Sequence, residues 1–132
     1  MTPADWDQVK GALSMPYGRV TLRCDAFELA LQVSAVGPLR FEIVSYVDGH
    51  FTGEWIVNDC EQRRRFLRPR TVPMYPRAKR AQLVAKFGRK RAEEWFDLGK
   101  TYTHWSWGWP SFAPLKRHLV ANNQSIELVE IQ

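Results

Sequence analysis

The sequence predicts an α+β fold: a four-stranded antiparallel meander with helices packed on one face, and further short strands near the C-terminus. Three observations predict it. Apolar and polar residues alternate through residues 19–57, tight-turn signals punctuate that alternation, and helix-spaced apolar residues lie on either side of it.

Thr2-Pro3-Ala4-Asp5 opens a helix. Thr2 is a capping residue, Pro3 suits the first helical position, and Asp5 complements the positive helix end. Trp6, Val9 and Leu13 share a face, and Gly18 marks the exit. The first strand alternates Val20, Leu22 and Cys24 with Arg19, Thr21 and Arg23. The second alternates Phe27, Leu29, Leu31 and Val33 with Glu28, Ala30 and Gln32, after a turn at Asp25-Ala26. A turn at Gly37-Pro38 leads to a third strand with Leu39, Phe41 and Ile43 on one face and Arg40 and Glu42 on the other. Asp48-Gly49 is a hairpin signal, and Phe51, Trp55 and Val57 complete a fourth strand. In this register Val20, Leu22, Leu29, Leu31, Phe41, Ile43 and Trp55 lie under the helices, while Arg23, Glu28 and Glu42 face water.

Asn58 or Asp59 caps a short helix to about Leu67. Residues 68–76 hold three prolines and read as a loop. Pro76 opens a helix with Leu83, Val84 and Phe87 inward. Gly88 ends or bends it, and a short helix runs on to about Phe96, burying Trp95. Residues 102–109 alternate as a strand that Pro110 stops. A last helix covers about 114–121, Asn122-Asn123 ends it, and Ile126, Leu128 and Val129 form a final strand.

The length of 132 residues fits a single domain, 1–132. A hydrophobic fraction of 45% and a charged fraction of 25% exclude a disordered chain. No apolar run approaches the ~18–20 residues of a membrane span, and the acidic start does not read as a signal peptide. Cys24 and Cys60 are too few and too far apart for a disulfide framework or a zinc site. They read as reduced thiols of a cytoplasmic protein.

The net charge of +5 is unevenly spread. Arg63, Arg64, Arg65, Arg68, Arg70, Arg77, Lys79, Arg80, Lys86, Arg89, Lys90 and Arg91 are 12 of the 19 basic residues, and residues 63–91 contain no acid. The remainder has 7 basic residues against 14 acids. Such a segment is either a solvated, charge-paired face or a surface for a polyanion, and its lack of acids makes it the candidate binding site. A helix-turn-helix over Gln82–Gly88 fails on spacing. Val84 sits where a small residue belongs, and Arg89 follows the glycine where an apolar one is expected.

Trp105, Trp107 and Trp109 share one face of a strand. They read as a core wall first and a base- or sugar-stacking platform second. His50, His104 and His118 lack metal-ligand spacing, so no metal or cofactor is expected. Cys24 or Cys60 with His104 or His118 is a remote candidate nucleophilic pair, cysteine being more often a small buried hydrophobe. Glu93 and Glu94 are adjacent on a helix and point apart. There is no phosphate loop, nucleophile elbow or metalloprotease motif.

Three stretches resemble small orphan proteins encoded by phages and prophages of Gram-negative bacteria: Tyr17-Gly18-Arg19-Val20-Thr21-Leu22-Arg23-Cys24-Asp25; Gly53-Glu54-Trp55-Ile56 with Cys60 after it; and Trp109-Pro110-Ser111-Phe112 running into Lys116-Arg117-His118-Leu119. The resemblance implies a bacterial cytoplasm and an accessory role in phage biology, and brings no catalytic residue. Many such proteins block host machines, CRISPR and other defence complexes included. The expectation is therefore a non-enzymatic inhibitor of a host nucleic-acid-handling or defence complex, an anti-CRISPR among the instances, acting through residues 63–91. The alternatives are an accessory protein that binds DNA or RNA directly, and a small enzyme with a site assembled around His104, Asp97 and Tyr102.

Overall fold

In the computed structural model, which describes residues 1–132, the elements in chain order are α1 (Pro3–Ala12), β1 (Arg19–Cys24), β2 (Phe27–Gly37), β3 (Arg40–Val47), α2 (Glu54–Val57), α3 (Glu61–Phe66), β4 (Arg68–Pro73), α4 (Arg77–Phe87), α5 (Arg89–Trp95), β5 (Thr101–Ser106), β6 (Gly108–Trp109), α6 (Phe112–Asn122) and β7 (Ile126–Ile131). The fold is α+β with a five-stranded antiparallel sheet in the order β6-β3-β2-β1-β7. No helix is long and apolar enough to cross a membrane. The chain forms two compact units, Met1–Arg68 with Trp105–Gln132, and Pro69–His104.

The first unit holds the sheet. Its core cluster takes Val20, Leu22 and Cys24 from β1, Leu29, Leu31 and Val33 from β2, and Ile43 and Val47 from β3. These are the period-two positions of each strand. Val9 and Leu13, Phe66, Trp109, Leu115 and Leu119 join them from α1 and its exit, α3, β6 and α6. Arg23 and Glu28 are exposed, as the alternation requires. The α1 start is a complete capping box: Asp5 N–H donates to Thr2 Oγ1 at 3.1 Å, and Thr2 N–H donates to the Asp5 carboxylate at 3.0 Å.

The hairpin turns sit at positions of positive φ. Asp25 has φ 53°, and Asp48 and Gly49 have φ 51° and 78°, both positive as a type I′ turn demands. The turn after β2 falls one residue later than expected, at Pro38-Leu39. Leu39 has φ 54° and is fully exposed rather than strand-bound. Two neighbours deviate from the sequence register as a result. Phe41 is 38% exposed, and the Glu42 side chain is mostly covered, lying across Gly108 and paired with Arg40 at 3.3 Å. Gly108 lets the Glu42 carboxylate lie close over the strand, and a side chain there would make that carboxylate move aside.

The expected fourth strand over residues 51–57 is not a strand. It is a turn followed by α2, and the outer places in the sheet go to β6 and β7. The reason is local packing. The chain turns at Gly53, and the Phe51 and Trp55 rings meet edge-on at 5.9 Å, whereas four residues of extended strand would hold them roughly 13 Å apart. Two further corrections concern prolines and caps. Residues 68–73 form β4 rather than a loop, paired with β5 in a two-stranded sheet. Every strand of such a ribbon is an edge, where proline's missing N–H is tolerated. Cys60, not Asn58 or Asp59, caps α3, its sulfur accepting from Arg63 N–H at 3.4 Å.

A partly exposed polar knot ties the first unit's loops. Arg65 donates to Asp25 at 2.6 Å, Glu61 at 2.9 Å and Asn123 at 3.0 Å, while Asp25 also accepts from Gln124 and Ser125 N–H. The Arg65 hydrogen bond, then that of Gln124, holds the Asp25 carboxyl below its ordinary range. The His118 Nε2–H donates to the Arg64 carbonyl at 3.0 Å, and Asn122 donates to Nδ1 at 3.3 Å. Burial pushes the His118 imidazole below its ordinary value, opposed by the Arg64 bond. Both groups have depressed folded pKa values, so each contributes stability that is complete above its unfolded pKa and is lost as pH falls through its folded one. Melting temperature should therefore decline gently from about pH 7 to 5, through His118, and again below about pH 4, through Asp25. Thermal melts of Asp25→Asn and His118→Gln should each lack one of these phases.

Candidate functional site

The second unit is built from little apolar surface. Its 36 residues bury only Leu83 and Ala92 fully. α4 forms because Ala78, Ala81 and Ala85 are strong helix formers and Pro76 sits at the N-cap position, where it needs no N–H. It ends at Gly88, whose φ of 81° and ψ of 153° belong to a region that only glycine occupies readily. The same residue starts α5, so two helices meet at one glycine. A helix-turn-helix needs a turn of three or four residues there, which agrees with the spacing argument against that motif. Gly88→Ala should destabilise the second unit by ~1–3 kcal/mol through backbone strain alone, since a side chain at this position meets no neighbour. Amide hydrogen exchange confined to α4 and α5 measures it.

The twelve candidate cations divide between the units. Arg63, Arg64, Arg65 and Arg68 belong to the first unit. There Arg65 lies in the knot, Arg64 pairs with Asp59 at 3.2 Å, and the Arg63 guanidinium sits 4.6 Å from the Trp105 ring centre. Arg70, Arg77, Lys79, Arg80, Lys86, Arg89, Lys90 and Arg91 belong to the second unit, and all are exposed. Among these eight, the structure pairs Arg89 with a carboxylate, Glu93 at 3.7 Å. With Lys100, the second unit has nine basic residues against three acids, a net of +6; the first has ten against eleven, a net of −1.

Within the second unit the cations frame a groove between α4 and α5 of about 570 Å³. Arg77, Arg80 and Arg89 rim it, Ala81, Val84, Ala85 and Leu98 floor it, and Glu93 is its single acid. The first turn of α4 has no acid and no side-chain cap. Arg77, Lys79 and Arg80 thus stand where the helix dipole favours anions. An anion bound there would relieve both the repulsion among the cations and the unfavourable dipole contact.

The other candidates are dispersed. Trp105, Trp107 and Trp109 share no platform, because the strand breaks at Trp107. Trp105 meets Arg63, and Trp107 stacks on Phe51 at 4.0 Å and donates to the Ser45 carbonyl at 2.7 Å. Trp109 is buried, donating to the Phe66 carbonyl at 3.1 Å. Trp95, expected inside, is 58% exposed. Cys24 is a core residue whose thiol is pushed up to about 12, by burial first and by the nearby Asp25 second. Cys60 is a helix cap. No three His, Cys, Asp or Glu side chains gather as metal ligands. Asp97, Tyr102 and His104 are all exposed, and none lines the α4–α5 groove. No protein-family model matches the chain, and comparison with curated proteins and with solved structures yields no match.

Proposed function

We propose that this chain is a non-enzymatic binding protein whose α4–α5 pair contacts the phosphates of a nucleic acid, alone or within a nucleic-acid-handling complex. The carrying observation is the concentration of exposed, largely unpaired cations on two short helices that have almost no core of their own. Positive charge held this way stabilises nothing in the fold. It suits a ligand that neutralises it. The resemblance to phage and prophage orphan proteins supplies the setting, a bacterial cytoplasm in which the complex is a host nucleoprotein machine and the outcome is its inhibition, CRISPR-type defence included.

A second reading has its own support. The groove's apolar floor and three arginines also fit an acidic protein segment, arginine being the cation best suited to buried interfaces. Capture of the tagged full chain from a bacterial lysate, with and without nuclease, separates the two. Nucleic acid in the eluate, with associated proteins lost after nuclease, supports phosphate contact. One protein complex retained after nuclease, with no nucleic acid, supports the acidic segment.

A further inference from the structure

Trp95 is the largest apolar side chain of the second unit, and it is 58% exposed in a unit that buries very little. Burying an aromatic of this size is among the most stabilising steps open to a small core. Leaving it outside forgoes that gain. The indole is nonetheless not loose. Phe87 meets it edge-on at 5.3 Å and 69°, Phe96 lies 5.9 Å from Phe87, and Tyr75 meets Phe96 edge-on at 6.0 Å. These three rings are half-buried, so they form a ladder whose outer rung is Trp95. Cations flank the ladder. The Arg91 guanidinium is 6.0 Å from the Trp95 ring centre, and Lys86 Nζ is 5.2 Å from that of Phe87.

We propose that Trp95, rooted by Phe87 and flanked by Lys86 and Arg91, is a base-stacking site, and that the second unit therefore takes single-stranded nucleic acid in preference to duplex. This rests on the phosphate-binding reading above and narrows its ligand. The physical ground is the accessibility of base faces. In a duplex they are already stacked on one another, and an exposed indole has nothing to pair with. In a single strand each base offers a free face, and the neighbouring cations hold the backbone beside it. Electrostatics alone would choose the other way, because duplex carries the denser charge. A preference for single strands is thus a signature that charge cannot supply.

The test uses the full chain and three labelled probes of about 15 nucleotides: oligothymidylate, oligouridylate and a mixed-sequence duplex. Fluorescence anisotropy at about 0.15 M salt gives each affinity. At least one single strand should bind about tenfold tighter than the duplex, the better of the two identifying DNA or RNA. Trp95→Ala should weaken single-strand binding by about tenfold and leave duplex binding within about twofold. Trp95→Leu keeps apolar bulk without a ring and should lose as much, whereas Trp95→Phe should keep most of the affinity. Wild-type affinity in Trp95→Leu, or equal affinity for all three probes with no effect of Trp95→Ala, would overturn the stacking site and leave phosphate binding standing. No binding to any probe would overturn both.

Discussion

Trp109→Ala should lower the stability of the first unit by ~3–5 kcal/mol. Three losses combine. The indole is 3% exposed and belongs to the core cluster, so its removal leaves a large cavity beside Ile43, with which it is paired across β3 and β6. Its Nε1–H satisfies the Phe66 carbonyl at the end of α3, and that oxygen would be left buried without its donor. Its ring also lies 5.2 Å from the His118 imidazole of α6, so strand, α3 and α6 are all loosened. Chemical denaturation of the full chain measures the change. A loss below about 1 kcal/mol would mean that β6 does not hold this edge of the sheet.

Arg80→Glu with Lys90→Glu should weaken binding to nucleic acid of every sequence alike, on the order of tenfold or more, without lowering the melting temperature. Both side chains are exposed and neither has a carboxylate partner in the structure, so the fold gains little from them. Reversing two cations takes the unit from a net charge of +6 to +2 and relieves self-repulsion, so stability should stay level or rise. The two effects have opposite signs, which separates loss of contact from loss of structure. Sequence-independent weakening is the mark of phosphate contacts, since they carry no base information. If binding survives intact, these cations are not the interface.

The sheet was legible where the pattern was purely local. The alternations in residues 19–24 and 27–33, together with the Asp48-Gly49 signal, place β1, β2 and the end of β3 on their core residues. It misled where a single residue decided the outcome. Leu39 bears an apolar side chain that fits the strand alternation, yet the two-residue turn takes it at positive φ. Phe51, Trp55 and Val57 stand at alternate positions in sequence, although the turn at Gly53 interrupts them and a helix begins at Glu54. Trp105, Trp107 and Trp109 alternate perfectly in sequence, and the break at Trp107 sends each ring to a different neighbour.

The candidate site was legible in kind and blurred in extent. An acid-free run of 29 residues marks a basic surface by composition alone. Composition does not say which cations are already paired in three dimensions. Arg65 meets Asp25, 40 positions earlier in the chain, and no short-range pattern signals that pair. The tally of a basic segment against an acidic remainder of −7 also dissolves in the structure. The first unit is near neutral, because Arg63, Arg64, Arg65 and Arg68 belong to it, and Arg64 and Arg65 pair with its acids. Repulsion of phosphates by the rest of the chain is correspondingly weaker than the sequence alone implies. Trp95 lies on the surface although its place in a helical apolar pattern reads as core. The signal available was the run Arg89-Lys90-Arg91 one turn before it.

The central claim, that exposed cations of α4 and α5 meet phosphates, is tested most directly by the salt dependence of binding to a short mixed-sequence duplex. If about five of these cations contact phosphates, the log–log slope of affinity against salt should be roughly −4.5, and Arg80→Glu with Lys90→Glu should flatten it by about two. A slope near zero in the wild-type chain, or a slope that the double substitution leaves unchanged, would contradict it.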